Sequence, residues 1–512
     1  MTLLSAPAAP ASVSAPPPQP HSAGPQRGSI VNMRTIGMAV ALISFVALWF
    51  GLPEGNGLTH EGVRALAVIV PSLVLWLTNG TNWVSLLIMG LFIIANVLPG
   101  GGPGNVWATG IGNPIIALVI VYYILANTMA ETGVTEKVAA WAISRPSLQG
   151  RPYAFLTVFF LSQMVLGFVM QNLALAVLYI EIAEKIAKQI GVKPGDKLYS
   201  ALMLGVTWGN GVLLVGSPIA KTWPLAMMGF LAVHGIAVSF ATWFAVGIPF
   251  TFVMTVVIML AIRTMKADVS PLKHLDVTKL QDSTPPLSKQ GKFIGWSFIL
   301  LIAFVVIPEI LNAVGITGGL VEWILSIGIT APAAVVVGVL CFVKMDGAPL
   351  CDFGKSLRDI HWGVVLFIAG IFVMQAPFSD PATGIQDWMG NIFQPIMGDL
   401  SPFWITAIAI LGTMALTQFM SNGVTMTVFW TIGSALLLAS SGTSNLAAFG
   451  VTVTFASCMA VLTGPATLTT ALVYEPKHIT PMGVLKPNLW FIGGSAIVLI
   501  AFIPFISAVF GG

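Results

Sequence analysis

From Leu400 to Tyr474 the chain runs for 75 residues without a single Asp, Glu, Lys, Arg or His. A stretch of that length with no charge belongs in lipid or deep inside protein. Its middle, Leu416 to Thr427, is nevertheless polar: Thr417, Gln418, Ser421, Asn422, Gly423, Thr425 and Thr427 fall there. Unpaired polar groups in hydrocarbon cost several kcal/mol each, so this cluster must face other protein groups, water or a ligand. Gly423 beside Ser421 and Asn422 predicts a break in the helix. Broken helices at mid-membrane, with small polar residues at the break, are how many secondary transporters build a substrate and ion site.

The rest of the chain is of the same kind. Of its 512 residues 56% are hydrophobic and 8% charged, with mean hydropathy +0.91, whereas soluble domains carry about 25% charged residues. The expectation is an all-α polytopic membrane protein seated in the lipid bilayer; the alternating ten-residue pattern of a membrane barrel is missing. A net charge of +3 gives no reason to invoke nucleic acid. Cys341, Cys351 and Cys458 have neither metal spacing nor a disulfide framework. Residues 1–29, with seven prolines, read as a disordered tail. No apolar core follows a basic start there, so the run beginning near Ile36 reads as a retained helix rather than a signal peptide.

Basic residues orient the chain. Arg27 and Arg34 put the N-terminus in the cytoplasm, and crossings follow at about 36–52, 62–78, 82–98 and 113–130. Basic flanks on both sides of Ala154 to Ile180 (Lys137, Arg145 and Arg151 before, Lys185, Lys188, Lys193 and Lys197 after) predict a re-entrant hairpin with its tip at Gln171 and Asn172. Leu198 to Met228, with four glycines and two prolines, reads as two half-helices around an unwound middle. Further crossings fall at 237–262, 293–314, 323–343 and 362–376, with a cytoplasmic loop, 263–292, holding six Lys or Arg. A second hairpin, with arms 403–420 and 424–439, enters from outside. Asn445 to Tyr474 crosses with a break at Gly464-Pro465, and 488–510 exits. The total is about eleven transmembrane helices plus two re-entrant hairpins, with the C-terminus outside. The divisions are 1–29, an N-terminal scaffold or dimerisation unit 30–112, a first repeat 113–262, the loop 263–292 and a second repeat 293–512.

Hairpin followed by broken helix thus occurs twice. Asn172 is echoed by Asn422, Gly205-Val206-Thr207 by Gly450-Val451-Thr452, and Gly216-Ser217-Pro218 by Thr463-Gly464-Pro465, at offsets of 250, 245 and 247 residues. One hairpin enters from each side, so the repeats are inverted, as in alternating-access transporters.

Thr417, Ser421-Asn422 and Thr425 resemble the Ser-Asn-Thr hairpin motif of the divalent anion–sodium symporters, the di- and tricarboxylate transporters. Gly464-Pro465-Ala466-Thr467, then Ile479-Thr480-Pro481-Met482 and Leu485, look like that family's penultimate helix and following loop. Gly216-Ser217-Pro218 resembles its first broken helix. The resemblance spans about residues 110–510. It implies hairpin tips and unwound segments that bind two sodium ions and the substrate carboxylates, in a homodimer working by an elevator motion. The chain departs from the pattern in its first half: Gly167, Gln171 and Leu173 replace hydroxyl-bearing positions, Gly423 replaces a Thr in the second, and Ile219-Ala220-Lys221 replaces Pro-Asn.

On this reading the substrate contacts are Gln171, Asn172, Lys221, Ser421, Asn422, Gly423, Thr425 and Thr467. Sodium (Na+), the coupling ion, is held by Thr417, Ser421, Asn422 and Asn172. The competing use of these groups is hydrogen bonding between helices. Lys221 is the only Lys, Arg, Asp or Glu between Lys197 and Arg263; intramembrane charges are commonly functional, and snorkelling to the interface is its alternative. Glu131, Glu181, Glu309, His60 and His234 read as solvated edge residues rather than a proton relay. Zinc-protease, Walker and serine-hydrolase motifs are missing in plausible context, so an enzyme is not expected. The expected function is sodium-coupled transport of a small organic anion, a di- or tricarboxylate, across an inner (plasma) membrane. An anion exchanger, a proton-coupled or inorganic-anion transporter, and a passive anion channel are the alternatives.

Overall fold

Helices begin where the sequence offers a side-chain cap. Thr59, Asn113, Ser239 and Ser288 each accept a backbone N–H from one to three residues inside the helix they start. A computed structural model describes residues 33–510 except 81, 99, 168, 169, 171, 219, 220, 278–285, 398, 399, 442–444, 465, 466, 475–477 and 481. The expected disordered tail, and Gln171, lie outside the described residues.

Among the described residues the chain is predominantly helical, with one two-stranded turn in which β1 (Lys344–Met345) pairs antiparallel with β2 (Ala348–Pro349). In order come α1 (Met33–Gly51), α2 (His60–Asn79), α3 (Asn82–Ala95), α4 (Gly102–Thr109), α5 (Pro114–Glu131) and α6 (Val134–Ile143). The first hairpin is α7 (Pro152–Gly167) and α8 (Asn172–Gln189), followed by α9 (Lys197–Trp208), α10 (Thr222–Val233) and α11 (Phe240–Thr264). Then follow α12 (Lys289–Ala313), α13 (Gly319–Ile327), α14 (Thr330–Phe342), α15 (Phe353–Arg358), α16 (Trp362–Ser379) and α17 (Ile385–Met397). The second hairpin is α18 (Pro402–Leu416) and α19 (Asn422–Ser441), and α20 (Leu446–Ser457), α21 (Leu468–Val473) and α22 (Leu485–Val509) close the chain.

Among the described residues seven helices are long and apolar enough to cross a membrane, and an eighth if α13 and α14, bent by 77°, form one span. The other expected crossings, 82–98, 362–376 and 445–474, are built from shorter apolar helices. Three differences from the sequence reading stand out. The 323–343 crossing is two helices, broken at Gly328, whose φ of +62° favours glycine. Helix α8 runs past the basic residues to Gln189, because Glu181, Glu184, Lys185 and Lys188 continue on its exposed side. Gly423 lies inside the first turn of α19, and the turn between the arms is Thr417–Ser421.

Burial sorts the spans. The α1 span is only 11% buried, as a lipid-facing helix should be, whereas Lys197–Gly216 is 94% buried. That burial is what permits an irregular backbone at this depth, since freed peptide groups are tolerated in a membrane only inside protein or beside a cavity. After Trp208 the chain loosens into a π-type turn over Gly209–Leu213 and tightens into a 3₁₀ turn over Leu214–Gly216. The freed carbonyls find donors in α11: the Trp243 indole reaches Val215 O at 3.0 Å and the Thr251 hydroxyl Leu213 O at 3.3 Å. Gly216 and Gly247 allow this approach. A Cβ on Gly247 would lie 2.3 Å from Gly216 O.

Edge carboxylates are likewise accounted for. Glu309 of α12 accepts the Ala241 N–H at 2.5 Å, capping the positive end of α11. Glu131 pairs with Lys355 at 2.7 Å, both half exposed. His60 pairs with Glu54 at the surface, Glu181 is exposed, and His234 caps the C-terminus of α10 beside the Trp430 ring.

Candidate functional site

The starts of the second arms of both hairpins and described residues of both helix breaks line one cavity of about 410 Å³. Asn172, Lys221, Ser421, Asn422 and Thr467 line it together, although they are spread over nearly 300 residues of sequence. Asn210, Trp223, His361, Phe367 and Cys458 contribute further wall. Among the described lining residues there is no Asp or Glu.

The second hairpin is held by Gln418. Its Nε2 donates to Met414 O and Met459 O at 2.8 and 2.7 Å, and its Oε1 accepts Val461 N–H and Leu462 N–H at 2.9 and 3.0 Å. The Thr463 hydroxyl donates to the Gln418 carbonyl. One buried amide therefore pairs three backbone groups freed where α20 ends, Met459 O, Val461 N–H and Leu462 N–H, and so helps an irregular backbone persist inside protein. The break begins at Cys458, six residues before Gly464, and Thr467 starts the next helix by accepting the Thr470 N–H at 3.0 Å.

Beside Gln418, the Thr417 hydroxyl lies 2.6 Å from Ser457 O and 3.1 Å from Asn422 Oδ1. Three oxygens converge here and only the hydroxyl carries a hydrogen, which can go to one partner at a time. An acceptor-rich cluster of uncharged oxygens is the donor set a hard cation takes. Ser421 is exposed to the cavity next to it.

In the first repeat, Asn210 forms the junction. Its Nδ2 donates to Asn172 O at 2.6 Å and its Oδ1 accepts the Thr469 hydroxyl at 3.0 Å. It thereby ties the first hairpin to the second broken helix. Sequence reasoning passed over it; the available signal was an amide flanked by Gly209 and Gly211 in an otherwise apolar helix. A second tie joins the repeats: Trp208 Nε1 donates to Asn488 Oδ1 at 2.9 Å, and Asn488 Nδ2 to the Tyr474 hydroxyl at 2.6 Å.

Lys221 does not snorkel. It is 5% exposed, and its Nζ donates to Gly211 O at 3.1 Å with the Cys458 thiol alongside. Two residues expected to touch substrate, Gly423 and Thr425, are not among the described residues lining this cavity. Gly423 makes room for two rings of the cavity wall: a Cβ there would lie 2.4 Å from Phe367 Cε1 and 2.5 Å from Trp223. Thr425 is fully buried and its hydroxyl returns to Ser421 O at 3.1 Å.

Three helices of twelve or more residues start at the cavity: Asn172, Thr222 and Asn422, the first residues of α8, α10 and α19, all line it. Helix N-termini carry unpaired N–H groups and roughly half a positive charge each. With the Lys221 amine beside them, these helix starts offer donors of the kind that suit an anion.

The CitMHS profile, described as a citrate transporter, matches residues 73–460. A sodium-dependent dicarboxylate transporter of Staphylococcus saprophyticus is 25% identical over 426 residues, covering 79% of this chain and 78% of that protein. One of Staphylococcus aureus is 23% identical over 504 residues, covering 94% and 91%. The resemblance to divalent anion–sodium symporters drawn from the hairpin motif is thus borne out. The YdaH transporter of Alcanivorax borkumensis, described as having an unusual topology, is similar in fold, with TM-score 0.50 and 16% identity over 87% of this chain and 99% of that one. Because the profile matches well over half of its length, the chain belongs to the citrate transporter (CitMHS) family and is a membrane transporter, not an enzyme.

Proposed function

We propose that this protein is a sodium-coupled secondary transporter of small di- or tricarboxylates. The observation that carries the reading is the convergence of three helix N-termini and Lys221 on one cavity whose described lining has no carboxylate. Each bound carboxylate meets backbone N–H groups and positive charge, with Ser421, Asn172, Asn422 and Thr467 offering uncharged hydrogen bonds. A volume of about 410 Å³ falls in the range of small-molecule sites. Sodium, carried as a co-substrate, takes the oxygen cluster of Thr417, Asn422 and Ser457 O. The names of the staphylococcal relatives support both the dicarboxylate and the sodium.

The two hairpins and two broken helices, tied through Asn210 and Asn488, act as one transport unit that moves against the remaining helices in an elevator-type cycle. The protein works as a homodimer in the plasma membrane, with its N-terminus in the cytoplasm and its C-terminus outside. The test is uptake of labelled succinate, citrate and a monocarboxylate into proteoliposomes under imposed sodium or proton gradients. Sodium-driven accumulation of the first two is expected. Flux that follows no gradient makes the protein a passive channel, and accumulation driven by protons alone replaces the coupling ion.

A further inference from the structure

The two halves of the site are built on one plan, and one residue breaks the symmetry. Asn172 and Asn422 start the second arms of the two hairpins. Lys221 and Thr467 are the cap residues of the helices that resume after the two breaks. In the second half a carbonyl freed at the break, Ser457 O, meets the Thr417 hydroxyl. The position equivalent to Thr417 at the 250-residue offset is Gly167, which has no side chain to offer. There a carbonyl of the loosened turn, Gly211 O, is met instead by the Lys221 amine at 3.1 Å.

We infer that Lys221 is a resident cation in the first half-site, standing where the second half-site takes a mobile one, so that the carrier binds a dicarboxylate with one alkali cation rather than two. The inference rests on the reading of the cavity as a carboxylate site. An ammonium on the carbonyl end of a broken helix sits at the negative end of that helix's dipole, the place where a cation is stabilised. It is buried and has no acidic partner among the described lining residues. A charge kept in a membrane protein without a counter-charge marks the position where a ligand supplies one. His361, Tyr123 and Cys458 are the other titratable groups on the cavity wall, and none is an acid that is ionised at neutral pH. The outcome is a division of labour: one carboxylate faces Lys221 and the N-terminus of α10, and the other faces the cation held by Thr417 and Asn422.

The test is equilibrium binding of labelled succinate to the purified full-length protein in saturating sodium, and labelled-sodium to labelled-succinate flux ratios in proteoliposomes. Lys221→Gln is expected to weaken succinate binding by at least about tenfold, while the sodium concentration that half-saturates binding stays unchanged. Lys221→Arg should restore most of the affinity. That unchanged sodium response also reports that Lys221→Gln is folded. In the wild type the sodium-to-succinate ratio should be one. Wild-type affinity in Lys221→Gln, or a ratio of two, overturns the inference while leaving the carboxylate reading intact. Absence of succinate and citrate binding to the wild type overturns both.

Discussion

Replacing Gln418 by Leu keeps the volume and removes four hydrogen bonds from the second break. One of the four bonds goes to Met414 O, one turn back on α18. Met459 O, Val461 N–H and Leu462 N–H lose the partner the structure gives them. Each buried backbone group left unpaired costs about 1–3 kcal/mol, so the three together weaken the closed break by about 3–9 kcal/mol. Tyr474 and Asn488 still hold Val461 O, at 2.5 and 3.3 Å, so the loss is confined to the break. Even the lower figure raises the open population about hundredfold. Hydrogen exchange read by mass spectrometry on a peptide covering 456–463 should therefore quicken by at least that factor, while peptides of α1 and α12 exchange as in the wild type. Exchange of that peptide within threefold of wild type would show that the break is held by packing alone and that the Gln418 amide is incidental.

Gly423→Ala forces a methyl between the Phe367 and Trp223 rings; overpacking of this kind costs about 1–3 kcal/mol, and the displaced rings should lower substrate affinity, read as a raised KM for succinate uptake. Asn422→Ala removes one oxygen of the proposed cation cluster and should abolish the sodium dependence of binding; retention of that dependence would move the cation elsewhere. Asn210→Leu cuts the tie between Asn172 and Thr469; it takes a partner from the Asn172 carbonyl and the buried Thr469 hydroxyl at a cost of about 1–3 kcal/mol each, so it should slow uptake and lower the melting temperature, and wild-type uptake in a folded Asn210→Leu protein would show the tie to be incidental. Glu131→Gln should change stability by less than about 1 kcal/mol, because both partners are half exposed. Glu131 holds the Lys355 ammonium above its usual range, so the pair's contribution is complete below the ordinary lysine value and disappears only as pH rises through the raised one. Thermal melts of wild type and Glu131→Gln should therefore run parallel from about pH 6 to 9.

What the sequence determined by itself were the features whose energetic cost is local to the residue. An uncharged stretch with Thr417, Ser421 and Asn422 in its middle announces a polar site because desolvation penalises each group wherever it lies. Lys221 stands out for the same reason, and Asn172 follows from the repeat offset, since an inverted duplication copies the chemistry of its turns. Helix starts at Thr59, Asn113 and Ser239 are legible because a cap acts over one to three residues. Tertiary structure decided where the breaks fall and what holds them. Gly423 looked like the break, but its small size answers to rings at Trp223 and Phe367, about 200 and 56 residues away. The second break belongs at Cys458 because Gln418, about 40 residues earlier, pairs the backbone there. Asn210 acquired its role only when Thr469, 259 residues on, came within 3.0 Å. Periodicity and composition describe one helix at a time, whereas a hydrogen bond across repeats exists only after the helices have packed.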